Sequence, residues 1–386
     1  MTGENLRQYL IVQKLCEQIG CKETIDYDSF CFFNVSNDKQ LVYTINENDT
    51  IRTSAVTDRY KLLELLKLIN ESGEYKYVIL DLHFLKEDTT QYDNDLFEYI
   101  SNMKNIVYVV NDSNDYSTPT LDGKTACAQY YSTIIETNFT RYEYLSKNKR
   151  YLPLKVYEDI FPEKQFKRFG KGLFSVYFSE GKLCQKSIFL TFDTAPFKET
   201  AYLNSYVTAN NDTIRKSVSK YLNMGYVLSN IDEQIPNLNR QSVINKQISP
   251  FIKNKYVVIG NLVEDIHSTY TEEYPGSLII ARALQSLVER KHIVSMSHTL
   301  CWFIVYFLIA MFLFKGLVLS NVIPLIKNTK YRIIPIAVDM LTFTSFMLVV
   351  EIIEYVICGS VYSIIVPTYY FIVVRLVFHY KKNLSI

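Results

Sequence analysis

The chain has 386 residues, 48% of them hydrophobic, and its 41 basic residues nearly balance 40 acidic ones, for a formal net charge of +1. That balance lacks the basic excess of a nucleic-acid binder and excludes nucleic acid as a partner. The seven cysteines show no CxxC or Cys/His spacing, which excludes a zinc module.

Residues 1–29 read as a helical lead-in. They hold Cys16 and Cys21, spaced for a local disulfide in an oxidising compartment or, more simply, two inert buried thiols. The segment has neither a charged start followed by an apolar core nor a stretch long enough to span a membrane, so no export signal is visible in it. "FCFFNV" (30–35) and "LVYTI" (41–45) read as a hairpin or strand pair. "DRYKLLELLKLINESG" (58–73) places Leu62, Leu65, Leu66 and Ile69 on one helical face and ends at a glycine stop. "KYVILDL" (76–82) is a buried strand, "NDLFEYISNMK" (94–104) a helix and "NIVYVV" (105–110) another strand.

This alternation implies an α/β fold with a mostly parallel sheet flanked by helices over 30–297. In the middle of the chain, "GLFSVYF" and "KSIFLTF" look like strands on the periphery of the sheet, and 197–250 reads as long polar connections. "FIKNKYVVIG" (251–260) supplies a second apolar strand, and "PGSLIIARALQSLVERK" (275–291) a helix with Pro275 near its first turn. Neither a Walker loop nor GxGxxG is present, "FGKGLF" (169–174) is an incidental glycine pair, and no serine elbow or HExxH occurs. No cofactor is implied.

From His298 onward the chain is almost continuously apolar. Three stretches, 299–319, 333–357 and 361–380, are long enough to cross a hydrocarbon core that needs roughly 20 helical residues. The lipid bilayer is therefore an expected partner. Lys327, Lys330 and Arg332 between the first two stretches, and Lys381 and Lys382 after the third, place that loop and the C-terminus in the cytoplasm; Arg290 and Lys291 before the first are a modest counter-signal. The soluble region then lies outside, and an upstream membrane segment is expected; the alternative is a cytoplasmic soluble region with a misleading charge bias. Asp339 and Arg375 fall at similar depth in the second and third stretches and are expected to pair. Glu351 and Glu354 fall near the outer surface, as a solvated helix end, with a proton or ion path as the alternative.

In an open parallel sheet, ligands collect beyond the carboxyl ends of the strands. Asp81 and His83 follow one apolar strand, and Asp265 and His267 follow the other. Each pair is spaced to point one way along an extended chain, so four polar groups could meet at one sheet edge. The plain alternative is a set of loop-capping carboxylates and half-exposed imidazoles.

These residues carry a resemblance. The strand Lys255 to Gly260, the turn Asp265 to Thr269, the helix start Pro275–Gly276 and the segment Ala283 to Leu287, followed by three apolar stretches, resemble the closing section of the CHASE2 family of extracytoplasmic sensors. "YKYVILDLHF" followed by "YDNDLFEYI" is similar to the family's other recognisable part.

The resemblance implies a ligand- or stress-sensing domain outside the bacterial inner membrane, anchored by one span before it and three after. Independently of the resemblance, the residues at the strand ends leave two readings, an acidic turn that shapes the sheet edge and leads the chain toward the membrane, or a small-ligand site at Asp81, His83, Asp265, His267 and Thr269. The chain stops shortly after the third stretch, so no cytoplasmic output domain is expected, and a signal would pass to a separate membrane partner or a second copy. The competing readings are an envelope enzyme, a metal-assisted hydrolase using Asp81, His83, Asp265 and His267, and a structural subunit whose 31 tyrosines and 23 phenylalanines offer contact surface.

Overall fold

The computed structural model describes residues 26, 28–45, 51–111, 114–128, 141–146, 149–170, 176–189, 198–199, 220–234, 241–242, 244, 248–268 and 273–294. Beyond these it describes 300, 303–308, 310–311 and scattered positions between 334 and 350. The chain divides into two compact units, a larger one formed by Glu23–Arg168 with Lys186–His292, and a smaller one formed by Met1–Lys22, Phe169–Gln185 and Ile293–Ile386.

The larger unit is built on a parallel sheet of β1 (Phe30–Asn34), β4 (Tyr77–His83), β5 (Ile106–Val109), β6 (Thr125–Ala126), β7 (Lys198–Glu199), β8 (Lys220–Asn223) and β9 (Tyr256–Gly260). Their spatial order is β7-β8-β1-β9-β4-β5-β6. The three central strands are apolar up to their carboxyl ends because both of their faces are covered.

On one face Phe33, Val78, Leu80, Val257 and Ile259 meet Leu62, Leu65, Leu66 and Ile69 of α1 (Arg59–Ser72), Leu96, Phe97 and Ile100 of α2 (Asp93–Asn102), and Val227 and Ile231 of α4 (Met224–Gln234). On the other face lie α3 (Leu152–Ile160) and α5 (Gly276–Val288), which pack on each other and on the sheet. Helix α1 starts where Asp58 accepts a hydrogen bond from the Lys61 amide and stops at Gly73, whose φ of +65° terminates the helix in a left-handed turn.

Three expectations are corrected. Residues 30–34 do not pair with 41–45: β1 lies between β8 and β9, whereas β2 (Lys39–Ile45) forms an antiparallel ribbon with β3 (Ile51–Thr57). The side chains explain the split, since β1 is buried throughout and needs neighbours on both sides, but Leu41 and Tyr43 of β2 are 61% and 66% exposed. The strands in "GLFSVYF" and "KSIFLTF" belong to separate small sheets: Val176–Ser179 pairs with Lys182–Cys184 in the smaller unit, and Ser187–Phe189 with Arg141–Glu143 in the larger. Finally, 197–250 contains β8, a sheet strand too short and too polar to stand out by pattern.

Among the described residues no helix is long and apolar enough to cross a membrane. Most of the three apolar C-terminal stretches, with Asp339 and Arg375, lie outside the described residues, as do Thr269, Cys16 and Cys21. Cys31, Cys127 and Cys184 are buried free thiols, and burial pushes Cys31 and Cys184 up to about 12.

Candidate functional site at the carboxyl edge of the sheet

Asn34, Gly260 and Asp81 stand side by side in register at the carboxyl ends of β1, β9 and β4. Asp81 is on the α3/α5 face, where the Ser277 hydroxyl in the first turn of α5 donates a 2.6 Å hydrogen bond to its Oδ2. This approach depends on Gly260: a Cβ there would stand 2.1 Å from Ser277 Oγ and 3.3 Å from Asp81 Cβ. The glycine is a spacer that lets a helix start sit directly on a strand end.

After Gly260 the chain turns on Asn261, whose side-chain oxygen accepts from the Glu264 amide at 2.9 Å. It then makes a short hairpin of β10 (Ile266–Ser268) and β11 (Glu273–Pro275) that leads into α5. The hairpin closes with a 2.9 Å hydrogen bond from the Gly276 amide to the Asp265 carbonyl, and it hangs Asp265 and His267 beside the helix start. His267 Nε2 is 3.1 Å from Asp265 Oδ1. A Cβ on Gly276 would meet Asp265 Oδ2 at 2.5 Å and His267 Nε2 at 3.1 Å, so a second glycine keeps this pair close to the backbone of α5.

The electrostatics follow from this packing. Burial raises the Asp81 carboxyl to about 6 and the neighbouring Asp265 charge adds to the rise, while the Ser277 hydrogen bond, His83 and His267 oppose it. The hydrogen bond to Asp265 raises His267 above its ordinary value against partial burial, helped by the charges of Asp265 and Asp81. The Tyr142 phenol, fully enclosed nearby, is held far above its usual range by burial first and then by Asp81. The edge therefore combines a carboxyl that titrates near neutrality, an imidazole inclined to carry a proton, a hydroxyl and the amide end of a helix. Such a set can bind a small polar molecule and exchange a proton with it.

His83 only partly joins this group. The pairing of β4 with β5 shifts register between Leu80 and His83, which turns the imidazole toward Asn111, 3.2 Å from Nε2, and Asp115, 3.7 Å from Nδ1. Alternation along a regular strand would have kept it beside Asp81.

Sequence reasoning missed Ser277, Asn34 and Asp38. Asn34 is buried and bonds on every side: its amide donates to Ser36 Oγ and Asn223 Oδ1, each at 2.8 Å, and its oxygen accepts from the Ser36 and Leu262 amides. Asp38 accepts from the Gly225 amide at 2.7 Å in the first turn of α4 and pairs with Lys61. The signal for Asn34 was the same one that marked Asp81, a polar residue closing an apolar strand.

The model of the CHASE2 domain family matches residues 22–318, more than half of the 386-residue chain. The chain belongs to the CHASE2 family. CHASE2 domains are extracytoplasmic sensory domains, and the matched range of this CHASE2 chain takes in the whole edge and continues into the first apolar C-terminal stretch. No curated protein and no solved structure matches the chain. Among the described residues no group of three or more His, Cys, Asp and Glu side chains could hold a metal ion.

Proposed function

We propose that this CHASE2 chain is a membrane-anchored extracytoplasmic sensor that binds a small polar ligand at the edge formed by Asp81, Ser277, Asp265 and His267. The bound state would pass to a separate membrane partner, and the chain itself performs no catalysis. The observation that carries this reading is the position of α5. One end of this buried helix holds Ser277 against Asp81, and the other leads the chain toward the apolar region after His298. A ligand that changes the charge of Asp81 or displaces the Asp265–His267 pair acts on the first turn of that helix.

The membrane anchor is supported by the continuous hydropathy after His298 and by Leu300, Phe303, Ile304 and Phe307, which are between 47% and 68% exposed on a helical segment. The test is accessibility in intact cells: a thiol introduced at Lys253, 60% exposed, and another at Asn328, in the basic connection, each probed with an impermeant maleimide. Labelling of Lys253→Cys with protection of Asn328→Cys supports an exported sensor. The reverse pattern overturns it.

A further inference from the structure

We propose that His292 is a proton-binding switch at the exit of the sensor unit, an imidazole kept uncharged in an aromatic cage whose protonation in acid drives it out and loosens the end of α5. His292 is the last residue of the larger unit and is completely buried. Its ring stacks on Phe166 at a centroid distance of 5.2 Å and meets Tyr157 edge-on at 5.4 Å. Neither ring nitrogen has a hydrogen-bond partner among the described residues. A buried imidazole that leaves a donor and an acceptor unused is uncommon in a folded protein, and its cost argues for a use.

The charged groups on the surrounding elements explain why the ring stays neutral. Helix α3 brings Glu158, whose carboxylate is already occupied by the Phe166 amide at 2.9 Å and by Arg150. The short helical turn Pro162–Lys164 brings exposed Glu163 and the cation Lys164. The end of α5 and its exit bring Glu289, paired with Lys291 at 2.8 Å, and the cation Arg290. No carboxylate pairs with the imidazole among the described residues, whereas two cations act on it. Burial, then Arg290 and Lys164, lower its affinity for a proton to about 4.

Once protonated, the ring would be an unpaired cation between aromatic walls and two like charges, a state that water relieves and the cage does not. Its departure frees the segment that joins α5 to Ile293. The site lies at the opposite end of α5 from Ser277 and does not depend on the ligand edge.

The test uses the full chain in detergent micelles with ring-labelled histidine, which gives only five signals. The signal absent from His292→Phe is expected to titrate near pH 4. Amide exchange over 286–294 should quicken about tenfold in wild type over the same range, and not in His292→Phe, whose ring fills the cage without titrating. An imidazole midpoint near the ordinary value of about 6.5 overturns the proposal, and so does an equal acid response in His292→Phe. If that variant does not fold, His292→Leu replaces it, and the wild-type curves still decide: the two midpoints coincide or the proposal fails.

Discussion

Ser277 donates its hydroxyl to Asp81 at 2.6 Å across 196 residues of sequence, and this bond fastens the first turn of α5 to the end of β4. It holds a carboxyl whose burial disfavours ionisation. The folded-state value of about 6 lies above the ordinary 3.8, so the contribution of Asp81 is most favourable below the unfolded value and is lost as pH rises through the folded one. At about pH 7.5, above both values, the ionised side chain costs the fold about 3 kcal/mol. Asp81→Asn, which can still accept from Ser277, is expected to unfold at a higher temperature than wild type there, with the difference vanishing toward pH 4. Thermal unfolding across that range checks it. A lower melting temperature for Asp81→Asn at neutral pH would mean that the carboxylate is better solvated than its packing implies.

The two glycines of the edge separate packing from ligand geometry. A methyl at Gly260 would lie 2.1 Å from Ser277 Oγ with β9 and β4 behind it, so Gly260→Ala has to break the Ser277–Asp81 bond and is expected to destabilise by about 1–3 kcal/mol. A methyl at Gly276 comes nearest to the ends of the Asp265 and His267 side chains, both partly exposed. Gly276→Ala should cost about 1 kcal/mol or less while displacing that pair. Denaturant unfolding of both variants tests the order, and an equal loss in both would contradict it.

The contact with Asp265 should be visible in the titration of His267. The hydrogen bond to Asp265 is the largest cause of the raised His267 value, so its stabilising contribution is complete below the ordinary imidazole value and is lost as pH rises through the raised one. In Asp265→Asn the His267 midpoint is expected to move down toward the ordinary value. With side chains 32% and 46% exposed, the effect on stability should stay below about 1 kcal/mol. Histidine ring signals followed through the titration test this, and an unmoved midpoint would show that the pair does not form in solution.

How much of this was legible in the sequence depends on whether a residue's role is local. The strands of β4 and β9 and the helices α1 and α5 could be read from apolar periodicity, because each buries a continuous face or both faces. Asp81, Asp265 and His267 stood out as polar groups at apolar strand ends. Ser277 did not, because its significance depends on Gly260 allowing α5 to touch the sheet. The divergence of His83 was equally hidden, since the register shift between β4 and β5 leaves no mark in the local pattern. Strand β8 escaped because four residues, KYLN, carry almost no periodicity, and only pairing beside β1 makes them a strand.

Asn34 provides the strongest structural test of the edge. Its amide group joins the ends of three strands: it donates to Asn223 at the end of β8, accepts from Leu262 just past β9, and closes on Ser36 after its own strand β1. Asn34, Ser36 and Leu262 are 1%, 6% and 3% exposed, so the two amides cannot turn to water without disturbing the core. Asn34→Ala takes the acceptor from the Ser36 and Leu262 amides and a donor from half-buried Asn223, and unsatisfied buried groups cost about 1–3 kcal/mol each. Partial relaxation toward solvent reduces the sum, so a loss of about 2–4 kcal/mol is expected. Asn34→Asp keeps the acceptor but exchanges the donor for a charge beside Asn223 Oδ1, and it should be destabilised at neutral pH and recover as the carboxyl protonates. Denaturant unfolding at two pH values distinguishes these cases. If Asn34→Ala unfolds at the wild-type midpoint, the three strand ends are held by their ladders alone, and the edge is less rigid than this hydrogen-bond network implies.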